Sequence, residues 1–204
     1  MATPRTVGIF MFDEVEVLDF AGPFEVFSVF GRRSQLDLFR VLTVSERGQP
    51  ITARNGLVIT PTHGFATCPP LDILLVPGGF GTRREMTNPV VLEWVSARAR
   101  ASEYTLSVCT GALILGTAGL LDGRNATTHH LAVAELAAAA PAAIIHPEAR
   151  MVDNGSLLCS SGVSAGIDMS LYLAARLHGD DLARETARYM EYEGRWSDPS
   201  RVVR

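Results

Sequence analysis

With 204 residues and no linker or charge run to divide them, the chain is predicted to be one large domain, 1–204. A chain of that length buries roughly 70% of its unfolded surface and needs no staples. It is 47% hydrophobic and 20% charged, with net charge −4 and every positive side chain an arginine, so it offers no basic stripe to a nucleic-acid backbone.

Cys68, Cys109 and Cys159 are too few and too scattered for a disulfide framework or a zinc site, and they point to a reducing, cytoplasmic compartment. The start of the chain lacks the layout of a secretory signal, and the longest uncharged stretch, Tyr104 to Leu121, reads as a buried strand–turn–helix, so no membrane association is expected.

In chain order, Val7–Phe12 is a continuous apolar run, the pattern of a strand buried on both faces. Pro23 stands near the start of a predicted helix, Phe24–Phe30, with Phe24, Phe27 and Phe30 at helical spacing and Gly31 ending it. Phe39–Val44 is predicted as the second strand. Residues 51–60 alternate as a hairpin arm that turns at Asn55-Gly56. Ile73–Val76 is a short buried strand running into Pro77-Gly78-Gly79, and Pro89–Ala101 a helix. Thr105–Val108 is a further buried strand, followed at once by a helix from Gly111 to Ala118 that Gly119 caps. Leu131–Ala140 is an alanine-rich helix stopped by Pro141. Arg150–Asp153 and Ser156–Ser160 flank Asn154-Gly155, a strong hairpin signal, and Ser164–His178 and Asp181–Tyr192 close the chain as two helices. Strands alternating with helices predict an α/β fold, a mostly parallel sheet sandwiched by helices.

The segment Val108-Cys109-Thr110-Gly111-Ala112 carries the chemistry. A buried strand ends, a cysteine appears, and small residues open a helix with almost no loop. Such an elbow exposes its nucleophile at the edge of the sheet, and the helix N-terminus favours the thiolate, which predicts a Cys109 pKa below the ordinary value of about 8.5. An inert buried cysteine fits the same spacing equally well. Gly79 follows a strand, and its N–H together with that of Thr110 is placed to form an oxyanion hole; an ordinary turn is the plainer reading. Asp19 is either a functional acid or the N-cap of the helix behind it. His129 and His130 read as loop histidines, and Cys68 and Cys159 as structural.

Taken together, five ordered blocks resemble the ThiJ/PfpI superfamily, which shares its fold with class I glutamine-amidotransferase domains. They are Leu18-Asp19-Phe20-Ala21-Gly22-Pro23-Phe24-Glu25-Val26-Phe27, Val76-Pro77-Gly78-Gly79, Ser107-Val108-Cys109-Thr110-Gly111-Ala112, Ala118-Gly119-Leu120-Leu121-Asp122-Gly123 and Ala126-Thr127-Thr128-His129; Ser164-Ala165-Gly166-Ile167-Asp168 matches as well. The resemblance covers residues 5 to 193. It implies Cys109 as nucleophile, Asp19 as the acid bonded to its sulfur, Gly79 and Thr110 as backbone donors, and His129 as a neighbour of the cysteine.

Protease-like members carry Cys-His at the elbow; Thr110 in the second place argues against peptidase activity. Cys-Thr with Leu-Asp-x-x-Gly-Pro upstream looks most like isonitrile hydratases and the sensing domain of AraC-type regulators. Those regulators carry helix-turn-helix units after this domain, for which a chain ending at Arg204 has no room. The resemblance therefore implies a small-molecule substrate, a homodimer, and no cofactor or metal. Three activities follow from it: hydration of an isonitrile through a Cys109 thioimidate, glyoxalase-like attack on an α-oxoaldehyde with His129 as proton shuttle, or redox and ligand sensing without turnover.

Overall fold

A computed structural model describes residues 3–204. The elements run β1 (Arg5–Phe10), α1 (Val17–Val29), β2 (Phe39–Ser45), β3 (Ile51–Thr52), β4 (Val58–Ile59), β5 (His63–Gly64), β6 (Ile73–Val76), α2 (Thr82–Glu85), α3 (Pro89–Ala101) and β7 (Tyr104–Val108). They continue with α4 (Gly111–Thr117), β8 (Asn125–Ala126), α5 (Val133–Ala139), β9 (Ile144–Ile145), β10 (Met151–Asp153), β11 (Leu157–Ser160), α6 (Ala165–His178), α7 (Asp180–Tyr189) and β12 (Val202–Val203).

Eight strands form one sheet in the order β12-β10-β11-β7-β6-β1-β2-β5. Every neighbouring pair is parallel except β10–β11, the hairpin turned by Asn154-Gly155. Val7, Ile9, Ile73, Leu74, Leu75, Val76, Leu106 and Val108 have no exposed surface, so the central strands are covered on both faces. α1 packs on α6 and α6 on α7; α4 packs on α2, α3 and α5. The arrangement is the α/β sandwich that the alternating pattern predicts.

The helix predicted at Phe24 begins instead at Val17, with Pro23 inside it. A proline in the helix interior forfeits the bond to the carbonyl four residues back, here that of Asp19. In return Pro23 lies close to Gly166 of α6, where even a Cβ would approach its Cγ to 3.3 Å. Two of the three phenylalanines belong to the core. Phe27 and Phe30 are buried against Phe39 with ring centroids 5.0 and 5.7 Å apart, and Phe24 alone is exposed. The predicted helix 131–140 opens as a single tight turn, His130–Ala132, before α5. α2, β5, β8, β9 and β12 are too short to show any period.

Candidate active site

The elbow is built by backbone strain held in place. Cys109 has φ 56°, a left-handed conformation that costs a non-glycine residue roughly 1–2 kcal/mol. Its N–H donates to the carbonyl of Ser160 at 3.1 Å, and its carbonyl accepts the buried hydroxyl of Thr128 at 2.9 Å. Two glycines let the chain close over it. A Cβ on Gly111 would lie 2.1 Å from the carbonyl oxygen of Val76, and one on Gly78 would lie 2.6 Å from Thr110 N, 2.7 Å from Asp19 Oδ2 and 2.8 Å from Cys109 Cβ.

Asp19 stands in the first turn of α1 but does not cap it; the cap position is Glu16. Its carboxyl crosses to the cysteine loop instead. Fully buried, it accepts the Gly78 N–H on Oδ2 at 3.0 Å, while Oδ1 has no protein partner of good geometry. Burial pushes its pKa up to about 7, against the lowering effect of the Cys109 thiol and the Gly78 amide.

The cysteine is also pushed up, to about 12, by burial first and the Asp19 charge second; the N–H and hydroxyl of Thr110 pull the other way. The low thiol pKa expected from the helix terminus is therefore not what the site produces. Cys109 is only 6% exposed, it sits beside a carboxyl group, and α4 has only seven residues. With Asp19 near 7 and Cys109 near 12, the carboxyl ionises first and the last proton stays on the thiol.

The anticipated backbone donors do meet here, but each already has an acceptor. Gly79 N–H donates to Thr110 Oγ1 at 2.9 Å, and that hydroxyl lies 3.1 Å from the Gly79 carbonyl. The N–H of Thr110 serves the Cys109 sulfur.

His129 is half-buried, with its ring edge over Gly162, and no hydrogen bond joins it to Cys109 or Asp19 among the described residues. Its Nδ1 accepts the Leu131 N–H at 3.2 Å, so the neutral ring carries its proton on Nε2. Burial, then His130 and Arg83, lower its pKa and keep it neutral. His130 is exposed and its ring lies 4.3 Å from that of His129, centroid to centroid.

Cys68 and Cys159 are also buried, Cys159 on β11 beside Ser107 of β7, and burial raises Cys159 to about 11. Val163 escaped the sequence reading. It has φ 54° and turns its amide toward the Asp19 carboxyl, a contact across the fold with no local signal beyond the preceding Gly162. Among the described residues, no cluster of three metal-ligating side chains occurs, and no helix is long and apolar enough to cross a membrane.

The sequence pattern of the DJ-1/PfpI family matches residues 5–176. The chain belongs to that family. DJ-1/PfpI relatives include the isonitrile hydratase of Pseudomonas putida, 38% identical over 189 residues, which are 91% of this chain and 78% of that protein. They also include the HTH-type transcriptional regulator GbdR of Pseudomonas aeruginosa, 32% identical over 93% of this chain; the match spans 51% of the regulator's own length. A solved ThiJ/PfpI family protein from Pseudomonas syringae superposes with a TM-score of 0.85 at 32% identity, covering 94% of this chain and 76% of that one. The DJ-1/PfpI fold is thus shared by an enzyme and by regulators.

Proposed function

We propose that this protein is a cysteine-dependent hydratase that converts an isonitrile into an N-substituted formamide. The observation that carries this reading is the fully buried carboxyl of Asp19, which crosses to the Gly78 amide and packs with Cys109 around the same glycine. Isonitrile hydration needs that pair. The sulfur attacks the terminal carbon while Asp19 carboxylate takes the thiol proton. The same acid then delivers it to that carbon, and a thioimidate, R–N=CH–S–Cys109, results. Water adds across the C=N bond, with Asp19 accepting its proton. Collapse of the adduct breaks the C–S bond, releases the formamide and restores the thiol. The likeness to the P. putida isonitrile hydratase supports the same substrate class.

His129 weighs against an oxoaldehyde mechanism. A proton shuttle must accept as well as donate, and its Nδ1 is already bonded to the Leu131 amide. Ligand sensing without turnover is the second reading, favoured by the likeness to GbdR over nearly the whole chain. A homodimer, in the cytoplasm, completes the proposal. Leu18 and Phe24 on α1, 37% and 38% exposed, are the apolar groups a second copy would cover.

The test is a turnover screen with an alkyl isonitrile, methylglyoxal and a peptide, on wild type and Cys109→Ala. Formamide production by wild type alone is expected. Isonitrile turnover that survives Cys109→Ala, or turnover of methylglyoxal alone, would contradict the reading.

A further inference from the structure

We propose that the Thr110 hydroxyl is a selectivity element: it withholds the Gly79 amide from any oxyanion formed on a substrate bonded to Cys109. This rests on Cys109 being the nucleophile, but not on the identity of its substrate.

When a thiol attacks an aldehyde or an acyl carbonyl, an S–C bond forms and the C=O electron pair moves onto oxygen. That oxygen needs donors at about 2.7–3.1 Å in place before it appears. Here they are engaged. Gly79 N–H is held by Thr110 Oγ1 at 2.9 Å, Gly78 N–H by Asp19 at 3.0 Å, and Thr110 N–H serves the sulfur. Oγ1 belongs to the residue that follows Cys109 on the elbow, so the acceptor that occupies the Gly79 amide is fixed beside the nucleophile's own turn.

Nor can the Gly79 peptide swing to find another outlet. That N–H belongs to the Gly78–Gly79 peptide, whose carbonyl accepts the Glu16 N–H at 2.9 Å, and Gly79 bridges to Val15. Its φ is +132°, and a Cβ there would lie 2.3 Å from the Glu14 carbonyl oxygen, so the backbone is packed on that side. The hydroxyl's own proton goes to the Gly79 carbonyl at 3.1 Å, so both partners of Oγ1 belong to Gly79.

Attack on an isonitrile makes no oxyanion. The terminal carbon receives both the sulfur and the proton, so a plugged hole costs that step nothing. Carbonyl substrates lose a donor.

The measurement compares two reactions of Cys109 in the purified protein. Acylation by p-nitrophenyl acetate forms S–C, breaks C–O, releases p-nitrophenolate, sends the thiol proton to Asp19 and passes through an oxyanion. Alkylation by iodoacetamide displaces iodide and makes none. Thr110→Ala should raise the acylation-to-alkylation ratio by about 10²-fold, the lower end of what one oxyanion donor is worth. Thr110→Ser should keep the wild-type ratio, and Thr110→Val, with a methyl where the hydroxyl stood, should show no rise. An unchanged ratio in Thr110→Ala, or an equal rise in Thr110→Ser or Thr110→Val, overturns the proposal.

Should the alanine variant not fold, the wild type still decides. On adding acetaldehyde to form the Cys109 hemithioacetal, the Gly79 amide resonance should stay where it is, and a large downfield shift contradicts the plug. Neither arm uses an isonitrile, so failure of isonitrile turnover and failure of this inference are told apart.

Discussion

Asp19 and Cys109 are two acids buried side by side, and the ionisation of Asp19 sets the pH behaviour of the site. The thiol needs a carboxylate to receive its proton. On the proposed mechanism, kcat/KM for an isonitrile should therefore rise with pH as Asp19 ionises, with an apparent pKa near 7. In Asp19→Asn that limb should vanish, which a pH–rate profile reads directly. The same shift has a stability consequence of opposite sign. The folded pKa of Asp19 is raised from 3.8 to about 7, so its contribution to stability is complete below the unfolded value and is lost as pH rises through the folded one. Thermal melts should show the Asp19→Asn Tm gaining on wild type between about pH 4 and about pH 8. The amide can still accept from Gly78 N–H and donate to sulfur, so the fold should survive.

At the scale of elements, the site exists because loops after β1, β6, β7 and β11 converge around Gly78, which has no side chain to hold them apart. Gly78→Ala puts a methyl against Thr110, Asp19 and Cys109 together. Overpacking of this kind costs roughly 1–3 kcal/mol, and here it should also abolish turnover. Denaturant melts beside rate measurements would show whether both fall. The loop after β11 is tied down separately. Asp168 on α6, 1% exposed, pairs with Arg150 Nε and accepts from Tyr192 at 3.0 Å. Asp168→Ala strands Arg150 and should cost about 3 kcal/mol, which a denaturant midpoint can check.

Elements that bury whole faces or turn tightly were legible in the sequence. The apolar run Ile73–Val76 and the helix Pro89–Ala101 fall where predicted, and Asn55-Gly56 and Asn154-Gly155 do turn, with Asn55, Gly56 and Gly155 at φ 62°, 89° and 83°. Pro23 misled, because proline is commoner at a helix start than inside one.

For the whole molecule, the parallel sheet is a platform whose C-terminal edge gathers residues scattered along the chain, and that gathering was the least legible part. Asp19 reads locally as a helix cap; its partner Gly78 lies 59 positions away, and no spacing rule reaches that far. Cys109 was placed correctly on its elbow, but its pKa depends on how deeply the neighbouring loops bury it, which local sequence does not encode. Thr110 reads as a small residue at a tight turn, whereas its hydroxyl engages a glycine 31 positions earlier.

The DJ-1/PfpI fold serves a hydratase and regulators alike, so fold alone does not decide between turnover and sensing. One pair of readings on Asp19→Asn decides most directly: isonitrile turnover and a melting curve at neutral pH. The account predicts a folded protein whose turnover has dropped by about 10²–10⁴-fold, the usual worth of positioned proton transfer. A folded Asp19→Asn protein with near-wild-type turnover would remove the acid from the mechanism and contradict the pairing of Asp19 with Cys109.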